Sequence, residues 1–174
     1  RNEHGITSSE AWKFISSDQI YLLRSNVSFP GVQCIRADTL KKDECNETLS
    51  QEVYVKVLVN STTRWFTMNA TYRPISRDSI GHATAFTSTD ERTGETTNYT
   101  FTPLSKRSCA VAHKKKGKSS EDARRSCELW VTQEYLSVPN LMTSCVNAFQ
   151  DQCGCPSGVS FQAEECRNVP GHVA

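Results

Sequence analysis

The sequence predicts an all-β fold: a closed, eight-stranded antiparallel up-and-down barrel with a C-terminal α-helix packed outside it. Three observations point there. Eight β-rich runs are separated by polar turns. One stretch near the C-terminus switches to helical spacing. Eight cysteines, an even number, offer covalent ties between barrel and helix. Closure removes the open edges of a sheet. An eight-stranded barrel is either filled by side chains or holds one small ligand. A two-sheet sandwich is the alternative, but the Cys…Trp…Cys spacing of the immunoglobulin type is absent.

The elements follow in order. Residues 1–18 are a polar N-terminal segment with a short helical turn around Ser9–Ile15, where Trp12 and Phe14 look like anchors. The barrel spans residues 19–135. Its expected strands are Gln19–Phe29, Gln33–Leu40, Leu49–Val59, Thr63–Ile75, His82–Asp90, Thr96–Leu104, Ser108–His113 and Ser126–Tyr135. Thr93-Gly94-Glu95 reads as a hairpin turn. In the expected helix, residues 139–152, Leu141, Cys145 and Phe149 recur every fourth position, and Pro139 suits a first turn. Residues 153–174 form a Gly, Pro and Cys-rich tail tethered by disulfides. With no repeat and no linker, the whole chain, 1–174, reads as one domain.

Composition narrows the function. The chain has 174 residues, 37% hydrophobic and 22% charged, with a net charge of +1. That balance fits a packed core and selects no polyanionic partner, so nucleic acid is not expected. No apolar run approaches the ~20 residues of a membrane helix. The chain begins at Arg1 without a start Met or an apolar leader, which reads as a mature chain whose signal has been removed. The five sequons at Asn26, Asn46, Asn60, Asn69 and Asn98, beside eight cysteines, point to a secreted, extracellular glycoprotein. Zinc on Cys153, Cys155 and Cys166 is the competing use of the thiols. No paired CxxC motifs or closely spaced histidines accompany them, so no metal is expected.

The sequons also set strand parity, because side chains alternate faces along a strand. With Asn69 in water, Phe66, Met68, Ala70 and Tyr72 face inward. With Asn98 outside, Thr97, Tyr99 and Phe101 face in. With Asn60 outside, Val53, Val55, Val57 and Val59 face in. With Asn26 outside, Tyr21, Leu23, Ser25 and Val27 face in. These sets are largely apolar or aromatic and suit a lipophilic or aromatic ligand. The ordinary alternative is that they simply fill the barrel.

Cys109 and Cys127 fall on the last two strands, and Cys145 and Cys153 lie eight residues apart toward one helix end. An outer helix can therefore be pinned by Cys109–Cys145 and Cys127–Cys153. Cys34 then takes Cys166 in the tail, leaving Cys45 with Cys155. Eight cysteines allow on the order of a hundred pairings, and the placement favours Cys109–Cys145 and Cys34–Cys166 most.

"CAV…SCELWVTQEYLSVPNLMTSC" resembles the C-terminal signature of tick salivary lipocalins, the histamine-binding protein family. "EAWKFISSDQIYLLRS", with Cys34 some ten residues on, is similar to their N-terminal opening. The likeness covers most of the chain, is strongest over residues 109–145 and is loose in the middle strands. It implies an eight-stranded lipocalin barrel, secreted in saliva, that sequesters host mediators: histamine, serotonin, leukotrienes or sterols. The family's amine-binding pattern reads Cys-Asp-aliphatic, then Glu-Leu-aromatic, then Cys. This chain has Cys109-Ala110-Val111, Glu128-Leu129-Trp130 and Cys145. Ala110 stands where the resemblance expects Asp, which weakens amine binding, because a buried ammonium needs a carboxylate partner. Glu128 alone could hold an amine, or could be a structural acid.

The expected function is thus a secreted carrier of a small lipophilic host ligand, a sterol or other lipid mediator, similar to the japanin type, that modulates host immunity at the bite site. An amine scavenger using Glu128 is the alternative. A second alternative is an immunomodulator whose outer surface engages a host immune-cell protein. An eicosanoid would want an inward cation, and parity places none. The expected ligand-binding residues are Tyr21, Leu23, Val55, Val57, Phe66, Met68, Tyr72, Tyr99, Phe101, Ala110, Glu128 and Trp130. No cofactor is expected, and the chain is expected to act as a monomer. His4, His82, His113 and His172 are scattered, so no catalytic or metal cluster is legible and no enzyme is expected. "HKKKGKSSEDARR", residues 113–125, reads as a solvated hairpin loop more readily than as a heparin site.

Overall fold

The computed structural model describes residues 9–104, 108–116, 124–138, 142–154 and 158–170. Eight strands form the barrel: β1 (Gln19–Ser25), β2 (Val32–Asp43), β3 (Thr48–Val59), β4 (Thr62–Arg77), β5 (Ala83–Asp90), β6 (Thr96–Leu104), β7 (Cys109–Lys116) and β8 (Arg124–Thr132). Each pairs antiparallel with the next, and β1 pairs with both β2 and β8, which closes the sheet. Two turns show why the strands reverse where they do. Asn60 and Ser61 both have positive φ and join β3 to β4 with Val59 opposite Thr62, the two-residue hairpin that matches strand twist. At the β5–β6 turn Gly94 has φ +72° and Asp90 Oδ1 accepts from the backbone of Arg92 and Thr93.

One end of the barrel is plugged. Helix α1 (Glu10–Ile15) starts at Ser9, whose side chain accepts from Trp12 N–H. Its Trp12, Phe14 and Ile15 are fully buried. Trp12 packs on Phe86 and Phe14 on Phe101, with ring centroids 6.4 and 6.1 Å apart. Trp12 Nε1 donates to Glu44 Oε2 at 2.6 Å, so the indole brings its polar edge to a partner.

A second core lies outside the barrel. Helix α2 (Gln133–Ser137) begins at Thr132 where an eighth strand running to Tyr135 is expected; the Thr132 hydroxyl accepts from Tyr135 N–H and ends the strand early. Helix α3 (Met142–Cys153) packs on the outward faces of β7 and β8, joined by Cys109–Cys145 and Cys127–Cys153. Tyr21, Val111, Leu129, Val131, Tyr135 and Phe149 fill that layer. Expected helix residues Pro139, Asn140 and Leu141 lie outside the described residues.

The tail adds a short ninth strand that the sequence reading lacks. β9 (Val159–Ser160) pairs with Arg24 and Ser25, an edge of β1 that β2 does not use. A side chain at Gly158 would meet Phe149 and the Ser25 carbonyl at under 3 Å, so only glycine passes there. Beyond β9, Cys166 bonds Cys34. Arg36 clamps the tail with donors to the carbonyls of Cys166 and Arg167 while gripping Asp38 with two bonds of 2.7 and 2.9 Å. Cys45 is exposed and has no disulfide among the described residues; its expected partner Cys155 lies outside them.

The candidate ligand cavity

Inward faces follow from register. Val53 opposes Met68, Gln51 opposes Ala70 and Leu49 opposes Tyr72 across β3 and β4. Ala112 opposes both Phe101 and Glu128. Part of this inward face encloses a cavity of about 180 Å3. Its apolar wall comprises Ile20, Ile35, Ala37, Val53, Val55, Met68 and Ala70; its aromatic wall comprises Phe29, Tyr72, Tyr99, Phe101 and Trp130. Gln51, Ser88, Lys114 and Glu128 complete it.

The sequon rule holds on three strands and fails on the fourth. Asn26, Asn46, Asn60, Asn69 and Asn98 are all exposed. On β1, however, Ile20 and Leu22 face the interior, while Tyr21 packs in the outer core with Arg36 5.9 Å from its ring, and Leu23 packs in that outer core too. The cause is a register shift between Leu22 and Arg24, opposite Trp130 and Leu129. The extra residue reverses parity, so counting back from Asn26 places Ser25 correctly and Tyr21 and Leu23 on the wrong face. Neither belongs to the cavity.

Three more expected ligand residues sit elsewhere. Phe66 is on the inward face of β4 but 53% exposed, at the rim of the mouth. Val57, one step nearer the mouth than Val55, is half-buried and outside the cavity wall. Ala110 is fully buried opposite Trp130 and Pro103, in solid core below the cavity. Val55, Met68, Tyr72, Tyr99, Phe101, Glu128 and Trp130 do line it.

The polar groups are arranged in two sets. Lys114 Nζ lies 2.8 Å from Glu128 Oε2, with side chains 19% and 2% exposed. Trp130 Nε1 donates to Glu128 Oε1 at 3.1 Å, so both carboxylate oxygens are occupied. Lys114 Nζ also sits 5.2 Å from the Phe29 ring centroid, within cation–π reach. Phe29 in turn leans on Phe161 of the tail, 5.9 Å away, so the tail buttresses the mouth. The second set is Tyr72, Ser88 and Tyr99: Tyr72 opposes Ser88 across β4 and β5, and its ring lies 5.9 Å from that of Tyr99. Burial pushes the Tyr72 phenol up to about 12 and the Tyr99 phenol well above its usual value, so both stay neutral. Tyr99 stacks on Phe101 at 5.5 Å.

Lys114 was missed because the seventh strand is expected to end at His113 and the basic run after it to be loop. β7 instead continues to Lys116 and β8 starts at Arg124. His113 is therefore an exposed strand residue opposite Cys127, not a loop residue. Alternation from Ala110 and Ala112 places Lys114 inside, so the expectation that no cation faces inward is corrected. Gln51 follows from the same alternation as Val53 and Val55; its polarity hid it. His113, Cys127 and Cys153 also cluster, but Cys127 and Cys153 are disulfide-bonded and offer no thiolate to a metal.

Solved structures share the architecture at low identity. Insecticyanin from the tobacco hornworm Manduca sexta aligns with a TM-score of 0.57 and 8% identity over 84% of this chain and 78% of that one. A bovine odorant-binding protein triple mutant aligns at 0.51 and 15%, over 92% and 100%. Lobster apocrustacyanin A1 aligns at 0.51 and 6%, over 91% and 88%. These likenesses establish the lipocalin fold. No individual curated protein matches the chain. The family model for the tick histamine-binding protein matches residues 2–168, nearly the full length, and the chain accordingly belongs to that family.

Proposed function

We propose that the chain is a secreted carrier that sequesters a small lipophilic host-derived ligand and so tempers the host response at a bite site. The observation that carries this reading is the apolar and aromatic cavity whose charged groups, Lys114 and Glu128, already satisfy each other. A ligand entering it gains burial of apolar surface, at ~25 cal/mol per Å2, without having to supply a counter-charge. Size sharpens the ligand class. An apolar cavity of roughly 150 Å3 holds a benzene molecule, whereas drug-sized ligands occupy ~300–1,000 Å3. A cavity of about 180 Å3 therefore suits one ring or a short chain. A sterol or eicosanoid would leave much of its body against the exposed rim at Phe66 and Met68. Sugars on the exposed sequon asparagines would leave the cavity free, since all five lie on the outside or at turns.

Amine capture is the second reading, favoured by Glu128 and Trp130 in the cavity wall. An incoming ammonium must compete with Lys114 for Glu128, which makes it the weaker of the two. Native mass spectrometry of the secreted protein tests the first reading. A co-purified neutral lipophile supports it, whereas an empty protein that binds no apolar probe contradicts it. Calorimetry with histamine and serotonin tests the second: binding lost in Glu128→Gln supports it, and absence of heat removes it.

A further inference from the structure

Gln51 is 1% exposed, lines the cavity, and its Nε2 has no hydrogen-bond partner among the described residues. A buried donor left unmade is costly, and native proteins keep few of them. The neighbouring inward residues on its strand, Leu49 and Val53, are apolar, so a hydrophobic residue would be accommodated there. We infer that Gln51 is the polarity-reading residue of the cavity, donating to an oxygen acceptor, a carbonyl, hydroxyl or ether, on an uncharged ligand. The inference rests on the carrier reading and names its ligand class more narrowly.

Charge balance supplies the second half of the argument. Among the described residues of the cavity wall, Lys114 and Glu128 are the basic and the acidic side chain, and they lie 2.8 Å apart as an ion pair. Trp130 takes the other carboxylate oxygen. A cationic ligand would have to displace Lys114, and an anionic one would strip Lys114 from Glu128, leaving a buried carboxylate unpaired. Tyr72 opposes Ser88 and its ring lies 5.9 Å from that of Tyr99, so these uncharged groups sit together on another part of the wall. Among the described residues of the wall, Gln51 Nε2 is the fully buried donor without a partner, and a neutral oxygen is the acceptor that leaves the Lys114–Glu128 pair undisturbed.

The test uses two probes of equal heavy-atom count, acetophenone with a carbonyl and isopropylbenzene without one, titrated calorimetrically into the intact protein and into Gln51→Met. The substitution keeps side-chain length and volume and removes the donor. Acetophenone should bind roughly tenfold more weakly to the variant, the scale of one hydrogen bond. Isopropylbenzene should change by less than about twofold, and the thermal midpoint of the ligand-free variant should rise, because an unpaired buried donor is gone. If the protein binds isopropylbenzene but the variant treats the two probes alike, the role of Gln51 is overturned and the carrier reading stands. If neither probe binds the unaltered protein, both fall. Should Gln51→Met fold poorly, Gln51→Leu carries the same comparison; a fall in midpoint in both would mark Gln51 as structural and overturn the inference.

Discussion

The two ends of this barrel are built from the same alternating strands and do opposite things. At the closed end, Trp12, Phe14 and Ile15 of α1 push into the bore and meet Phe86, Phe101 and Ala110, all buried. At the mouth, inward-facing Phe66 and Met68 stay 53% and 40% exposed, and no helix among the described residues covers them. The difference teaches that apolar alternation sets which face is inside, while an added plug sets whether the inside is full. Stability is concentrated where the plug is; room for a ligand is left where it is not.

The largest expected effect breaks the closed end. Trp12→Ala should destabilise by about 3–5 kcal/mol in urea unfolding, the usual cost of emptying a packed aromatic site. A loss below about 1 kcal/mol would mean α1 is not part of the core. The next tests the pair at the hollow half. Lys114→Met alone should cost about 3–5 kcal/mol, because Glu128 is left buried without its cation, and adding Glu128→Gln should recover much of that loss. Equal stability of the single and double variants would show that Glu128 does not depend on Lys114.

Tyr72 and Tyr99 line the cavity between plug and mouth, and pH sharpens their placement. An exposed phenol ionises near 10.0, whereas Tyr72 keeps its proton to about 12. Below pH 10 both states are protonated and nothing changes. Between 10 and 12 the unfolded chain binds fewer protons than the folded one, so stability falls as pH rises, by about 2–3 kcal/mol for Tyr72 across that window. Tyr72→Phe should flatten part of this fall in pH-dependent denaturation; an unchanged slope would place Tyr72 in contact with water. The smallest effect belongs to the rim. Phe66→Ala should change stability by less than about 0.5 kcal/mol, as exposed positions do. A core-sized loss there would erase the contrast between the ends.

Much of this was legible in the sequence, and the misses have local causes. The eight strands and outer helix follow from period-2 runs and fourfold spacing, and Asn69 and Asn98 assign Met68, Tyr72, Tyr99 and Phe101 to the inner face because β4 and β6 are unbroken there. Tyr21 and Leu23 were misplaced because a bulge changes parity without a sequence mark. Lys114 was hidden in a basic run that composition assigns to solvent; its strand extends because β7 and β8 pair out to Lys116 and Arg124. Val57 and Phe66 show that parity fixes the face but not the depth. The position of the void, below Phe29 and above Ala110, depends on how α1 and the tail fill the two ends, which no single strand encodes.

Ala70→Leu probes the void itself. Ala70 is buried on the cavity wall opposite Gln51. The account predicts that the larger side chain enters empty space: unfolding stability holds within about 0.5 kcal/mol or rises, while isopropylbenzene binding is lost. A drop of about 1–3 kcal/mol, the usual cost of overpacking, with no probe binding in the unaltered protein, would show a solid interior and contradict the account.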